Sequence, residues 1–363
     1  MNIAITSFIK SENYGALLQS FALQRAIEKL GHKAVYLDYE GNPNFTVIQR
    51  LKNTAYRIIR VFLGYHKRKY RTDKFVNDFI SVEKFVDEEQ YDIYVSGSDQ
   101  VWHPDNVNDF FFLNFVKKAP KISYASSFGV SNIDDRLYDY YTSSLSNFLK
   151  LSIRENKGID ILKKLKLNDY EVVIDPTLLL SPKEWDSCIE KIHPYSSKYI
   201  LCYVMNGDSI MAKYISRIAN HLNESLGGVY KVITLGDKEY KKIKPGYHLD
   251  CSAGPLEFIS YIKHADYVIT SSFHGTCFSI IYNKKFISVL RDGNPLNCRI
   301  EDTLSLIGLN NCKHYNTEKI ESYSFAEIEY DNVNRLLNNE RCRCVNFLQS
   351  FFEEYEATSV VSR

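Results

Sequence analysis

Short apolar runs alternate with amphipathic helical stretches along most of the 363 residues, and glycine or small polar residues close nearly every run. The first unit is the clearest. "MNIAITSF" is a strand, and "NYGALLQSFALQRAIEKLGHKAVYLDY" gives a helix, a stop at Gly31 and a strand over Ala34–Asp38. Strand–helix–strand order builds a parallel sheet, because a crossover helix returns the chain to run in the same direction. "YDIYVSGSDQVW", "KISYASSFG", "KLSIRENKG" and "YEVVIDPTLLL" continue the pattern, each ending an apolar run on polar residues. Open parallel sheets build their sites at such strand ends. A junction at Ser181–Ser197 follows, and the pattern restarts with "KYILCYVM", "SIMAKYISRIANHL", "VYKVITL", "GPLEFISYIKHA", "DYVITSS", "GTCFSIIYN" and "KFISVLR". The length also suits two medium domains better than one core. The expected organisation is therefore an α/β unit over 1–180, a second over 197–345, and a helical tail over 346–363.

Charge excludes some partners. The formal net charge is +1, so no global field favours nucleic acid. The N-terminal stretch has no basic segment followed by a long apolar run, and no run is long enough to span a membrane, so a cytoplasmic chain is expected. The eight cysteines are scattered and form no CxxC pair, so free thiols and no metal site are expected. The 27 Tyr and 21 Phe suit either a sugar-binding cleft or an ordinary core.

One segment is strongly basic. Val47–Lys74 holds nine Lys and Arg against the single acid Asp73, with Val47, Ile48, Leu51, Ile58, Ile59 and Phe62 at near-helical spacing. It reads either as an amphipathic helix on an anionic membrane surface or as a solvated helix docked by its apolar side. Arg57, Arg60, Lys67 and Arg68 carry the charge in the first reading.

Four stretches offer chemistry. In "TSSFHGTCFSII" a strand should end and a helix begin, and free N–H groups at a helix start attract anions. There Gly275 lets a ligand approach the backbone, Ser271, Ser272 and Thr276 add hydroxyls, and His274 can exchange a proton near neutral pH. The other reading of His274 is a capping residue with a hydrogen-bonded ring. "LSIREN" puts Arg154 at a strand end, where a guanidinium fork suits a carboxylate or phosphate, or simply pairs with Glu155 at the surface. "VSGSDQVW" places Ser98, Asp99 and Gln100 in a turn that is either a ligand loop or a plain Asp turn. "ENYGALLQ" sets Asn13 and Gly15 before the first long helix, with neither of the common nucleotide-binding glycine motifs.

Taken in order, "NYGALLQSFALQ", "VSGSDQVW", "YASSFG", "LSIREN", "VIDPTLLL" and "SSFHGTCFSIIYNKKFI" resemble the polysaccharide pyruvyltransferase family, over about residues 8–310. The resemblance implies two Rossmann-like domains facing a cleft, as in the GT-B arrangement of many glycosyltransferases. It implies transfer of pyruvate from phosphoenolpyruvate to a sugar of an exopolysaccharide, capsule or cell-wall precursor, closing a cyclic ketal, with no cofactor beyond that co-substrate. The family's proposed general acid lands on His274, and its arginine for the phosphoenolpyruvate anion lands on Arg154. Asp99 is expected to orient or deprotonate the acceptor hydroxyl. The acceptor is expected to be lipid-linked, at the inner membrane face.

One departure stands out. Where well-studied branches carry a second arginine two residues before the histidine, this chain has Ser272. Arg291 and Arg299 in "VLRDGNPLNCRI" are the candidates to replace it, with Lys157 a weaker choice. Besides the ketal pyruvyltransferase, two readings stay open: a glycosyltransferase of similar fold using a nucleotide sugar, and a non-catalytic assembly protein that binds an anion at the same place.

Overall fold

A computed structural model of the chain describes residues 1–38, 65–190, 192, 195–204, 208–235, 247–320, 325 and 327–361. Its first sheet holds β1 (Asn2–Thr6), β2 (Lys33–Asp38), β3 (Val82–Lys84), β4 (Ile93–Ser96) and β5 (Lys121–Ser123). They lie in the order β3-β2-β1-β4-β5, with every pairing parallel. The parallel pair β6 (Leu151–Ile153) and β7 (Tyr170–Val172) adjoins β5 through the Ile122–Lys150 bridge. The second sheet is also all parallel. It takes β8 (Tyr199–Tyr203), β9 (Lys231–Leu235), β10 (His248–Asp250), β11 (Tyr267–Thr270), β12 (Lys285–Leu290) and β13 (Lys313–Tyr315) in the order β10-β9-β8-β11-β12-β13.

Both sheets place a reversal of strand order where the chemistry-bearing loops leave. In the first, β2 lies on one side of β1 and β4 on the other. In the second, β9 and β11 flank β8 in the same way. Helices leaving in opposite senses open a crevice at such a point. The loops after β1 and β4 carry Asn13 and Ser98–Gln100, and the loop after β11 carries Ser271–His274.

Helix α1 (Tyr14–Lys29) starts where the Asn13 side chain accepts from Gly15 N and stops at Gly31, whose φ of 88° only glycine adopts cheaply. It is buried on almost every side, because it lies between its own sheet and the second unit. In chain order follow α2 (Tyr65–Phe79), α3 (Tyr138–Leu145), α4 (Lys157–Lys164), α5 (Pro182–Ile189), α6 (Ser209–Ser225), α7 (Pro255–His264), α8 (Phe273–Ile281), α9 (Cys298–Leu306) and α10 (Tyr330–Val361). The junction expected at Ser181–Ser197 contains α5, opened by a capping box between Ser181 and Glu184. Its Trp185 is fully buried between Phe21 of the first unit and Phe278 of the second.

Helix α10 runs unbroken past residue 345, where a boundary was expected. The reason is an apolar stripe, Val333, Leu337, Cys344, Leu348 and Phe352, that stays on one buried face. The stripe packs back on the first unit: Arg341 donates to the carbonyls of Leu178 and Leu180, and Cys344 Sγ accepts from Ile174 N.

Of the basic segment, Val47–Gly64, with Arg57 and Arg60, lies outside the described residues. The remainder forms the start of α2, where Lys67 is exposed and most of the other charges are engaged within the molecule. Arg68 is buried, donates to the Glu12 carbonyl and sits 4.6 Å from the Tyr14 ring centre. Arg71 reaches the second unit, donating to the Ser252 carbonyl and pairing with Glu257 at 3.0 Å. Arg68 is therefore a packing residue and not part of an exposed cationic face. Lys69 and Lys74 pair with Asp73 and Asp78 one turn on. Among the described residues, no helix is long and apolar enough to cross a membrane. The aromatic surplus goes largely to packing, with Trp102 ringed by Phe112, Phe128 and Phe148.

Candidate active site

β11 passes into α8 through a tightly bonded turn. Thr270 Oγ1 donates to the Tyr203 carbonyl and accepts from Ser272 N. Ser271 N donates to the same carbonyl of Tyr203. Ser272 is the N-cap, and its Oγ accepts from Gly275 N at 3.3 Å. A Cβ on Gly275 would overlap Thr270, so glycine is required there for helix-to-strand packing. Thr276 Oγ1 bonds the Ser272 carbonyl and Ser288 Oγ. The Gly275 amide and the Ser272 and Thr276 hydroxyls are thus engaged in local structure. A helix start that caps itself has fewer donors to offer an anion.

His274, one residue into this turn, is the exception. It is 7% exposed, and its Nε2 is buried without a hydrogen-bonding partner. The nearest acceptor is Asp175 Oδ2, at 3.6 Å. On its other side the ring lies against Gly15, where an added Cβ would overlap Nδ1. The starts of α1 and α8 therefore meet around one imidazole, and Gly15 is needed for that approach. Asn13 contributes by capping α1.

Arg154 follows β6 and is not at the surface: its side chain is 1% exposed. Its Nη1 bonds Asp175 Oδ2 at 2.8 Å, Nη2 lies 3.4 Å from Asp99 Oδ1, and Nε lies 4.0 Å from Glu155 Oε2. Burial opposes its charge, but Asp175, Asp99 and Glu155 together hold it protonated even more firmly than usual. Burial likewise opposes ionisation of Asp175, yet His274 and Arg154 hold that carboxyl well below the usual carboxylate range. Asp175 Oδ1 is occupied by the amide and hydroxyl of Thr177. Glu155 Oε1 is fixed by Ser127 Oγ and the amide of Phe128. Asp99 sits at φ 79°, a left-handed conformation uncommon for a non-glycine residue, and this backbone strain aims its carboxylate at Arg154. Ser98 is buried with its Oγ unpartnered, while Gln100 packs its amide against Gly129.

The two arginines proposed to replace a cation at Ser272 part company. Arg291 pairs with Asp208 at 2.7 Å, at the cap of α6. Arg299, on α9, lies 5.8 Å from the centre of the Phe273 ring, and Arg154 lies 4.9 Å from the same ring. Arg299 Nε is buried and unpartnered. Burial and then the neighbouring charge of Arg154 make its guanidinium less basic than usual. Lys157 opens α4 just after this cluster.

Asp175, Glu155 and Phe273 were not singled out from the sequence as site residues. The available signal was Asp175 itself, a carboxylate set between two apolar runs in "VVIDPTLLL". A buried carboxylate requires a cation or several donors nearby.

The sequence profile described as polysaccharide pyruvyl transferase matches residues 13–293. The chain belongs to this family. It is a transferase with the two-domain architecture of GT-B enzymes. No curated protein matches its sequence. Solved structures share the fold at low identity. The α,α-trehalose 6-phosphate synthase of Burkholderia multivorans is 8% identical, covering 100% of this chain and 98% of that one, with a TM-score of 0.53. Another trehalose-6-phosphate synthase, OtsA, is 10% identical over 98% and 99% of the two chains, also with a TM-score of 0.53. The UDP-GlcNAc 2-epimerase of Methanocaldococcus jannaschii is 12% identical over 93% and 92%, with a TM-score of 0.48.

Proposed function

We propose that this family member moves pyruvate from phosphoenolpyruvate onto a sugar of a polysaccharide or cell-wall precursor and closes a cyclic ketal. The observation that carries the reading is the grouping of His274 with two guanidiniums around Phe273, with His274, Phe273 and Arg154 buried and Arg299 part-buried. In this reading the units part to admit the donor, whose carboxylate and phosphate meet the arginines. Protonated His274 gives its proton to the methylene carbon, and C2 becomes electrophilic. A sugar hydroxyl adds to C2, losing its proton to Asp99. Phosphate leaves with the electrons of its C–O bond, and a neighbouring hydroxyl closes the ketal, its proton passing to the now neutral His274. Proton delivery of this kind is worth about 10²–10⁴ in rate. Excluding water strengthens the charge stabilisation.

The first unit, 1–180, supplies Arg154 and Asp99, and the second, 197–345, supplies His274 and Arg299. The acceptor is a lipid-linked oligosaccharide at the cytoplasmic face of a membrane. The test is phosphate release from phosphoenolpyruvate with a panel of simple and lipid-linked sugars. Release that depends on a sugar supports the reading, and no release with any acceptor removes it.

A second reading is glycosyl transfer from a nucleotide sugar. It draws on the shared architecture with synthases named for a sugar phosphate. Thermal stabilisation by nucleotide sugars, with none by phosphoenolpyruvate, would select it.

A further inference from the structure

We infer that the groove where β5 begins is a second binding site, for a sugar that carries a carboxylate or phosphate, and that Lys121 holds its anion. The site is separate from the reaction and does not depend on which group is transferred. Lys121 opens β5 and Asn147 precedes β6, whereas Ser98 and Arg154 follow the C-terminal ends of β4 and β6. The groove and the candidate active site therefore lie at opposite ends of the strands. The groove encloses about 450 Å³, within the size range of small-molecule sites. Apart from Val116 and the Tyr140 ring, its described lining is charged, amide or hydroxyl. Such a lining suits a ligand rich in hydroxyls, because an apolar one would leave these groups dry and unpaired.

Lys121 is what points to an anion. It is 8% exposed, and its ammonium donates to the carbonyls of Leu113 at 3.3 Å and Val116 at 3.1 Å. An ammonium has three N–H donors, so one remains. Among the described residues Lys121 makes no ion pair. Glu88 acts on it through space, but that carboxylate accepts from the amides of Lys117, Lys118 and Ala119. Burial, and then the charge of Lys117, make the Lys121 amine less basic than usual, against the pull of Glu88. An oxyanion in the groove would meet the remaining donor and supply the missing charge. The rim offers the contacts a sugar ring needs. Asp109 is exposed, and its bonds from Asn114 and Tyr140 both fall on Oδ1, which leaves Oδ2 for a ligand hydroxyl. Asn147 donates through Nδ2 to the Ser143 carbonyl, which leaves its Oδ1 as an acceptor.

Calorimetric titration into the full chain tests the site with four probes: glucuronate, glucose 6-phosphate, glucose and inorganic phosphate. At least one acidic sugar should bind, and glucose should bind about 10-fold more weakly or worse, because it lacks the charged contact. Lys121→Met keeps the length of the side chain and removes its charge, and should weaken the acidic sugar about 10- to 100-fold. Asn147→Ala, at the exposed rim, removes a neutral contact and should cost about 2- to 10-fold. His274→Gln, at the other end of the strands, should bind the acidic sugar as wild type. Melting curves report folding. Where Lys121→Met melts early, the exposed rim variants Asn147→Ala and Lys117→Met decide, and wild-type affinity in both overturns the site. Three other results overturn it: no saturable binding of either acidic sugar to wild type, unchanged affinity in a folded Lys121→Met, or a loss of binding in His274→Gln. Glucose binding as tightly as the acids removes the anion's role, and inorganic phosphate binding as tightly as glucose 6-phosphate removes the sugar's.

Discussion

On the first unit's side of the site, Arg154 is ringed by Asp175, Asp99 and Glu155. On the second unit's side, His274 Nε2 and Arg299 Nε have no hydrogen-bonding partner. Both sides are built at the C-terminal ends of parallel strands next to a reversal of strand order. The contrast separates two uses of buried charge. A buried cation with matched acids fixes geometry, because removing either partner leaves an uncompensated charge. A buried nitrogen without a hydrogen bond calls for an explanation, and on both sides, since Arg154 Nε is unpartnered as well, a ligand's acceptor is one.

The contrast can be broken in four places. The largest expected effect is His274→Gln, which removes the proposed acid while keeping a polar side chain. It should lower kcat by about 10²–10⁴ while circular dichroism shows the chain still folded. Turnover near the wild-type level would reduce His274 to a helix-start residue.

Asp175→Asn attacks the compensated side. Arg154 then lies buried against a neutral amide, and about 3–5 kcal/mol of stability should be lost at neutral pH. The pH dependence has a definite sign. Asp175 is held well below the usual carboxylate range in the folded chain. Its contribution is therefore complete above its unfolded pKa of about 3.9 and declines as pH falls through the depressed folded value. Urea unfolding should show a large gap between wild type and variant at neutral pH and a smaller one near pH 3. A gap that grows on acidification would contradict the assignment.

Gly15→Ala sharpens the point where α1 meets the imidazole. The added methyl overlaps Nδ1, so the ring must shift. A displacement of about 1 Å costs on the order of 10²-fold in rate. Steady-state kinetics read the loss, and wild-type kcat would mean that this contact is not kept during turnover. The smallest effect belongs to Arg71→Ala. It removes a partly exposed link from α2 to Glu257 and Ser252, which should cost about 1 kcal/mol or less and be weaker at high salt. A thermal melt at two salt concentrations measures it.

Much of the architecture was legible because it is local. The alternation of apolar runs and helices announced two parallel sheets, and Gly31 marked a helix end. His274 and Arg154 were legible as unusual residues at strand ends. The acid between them, Asp175, was not, since only the packed fold sets it against both. Gly275 and Thr276 carry a related ambiguity. A hydroxyl or glycine at a helix start looks the same in sequence whether it faces a ligand or, as here, Thr270 and Ser288. Arg68 was misread because charge in a string of letters carries no direction, and its side chain turns toward Tyr14.

The grip of α10 on the segment that carries Asp175 has a consequence for folding. Arg343 donates to the Val172 carbonyl, Cys344 receives from Ile174 N, and Arg341 takes the carbonyls of Leu178 and Leu180. These contacts bracket Asp175 on both sides, and they come from residues as much as 171 positions downstream. Closing so long a loop is entropically costly, so the segment that aligns Arg154 with His274 becomes ordered only when α10 docks. The site and the docking of one distant helix are thereby joined.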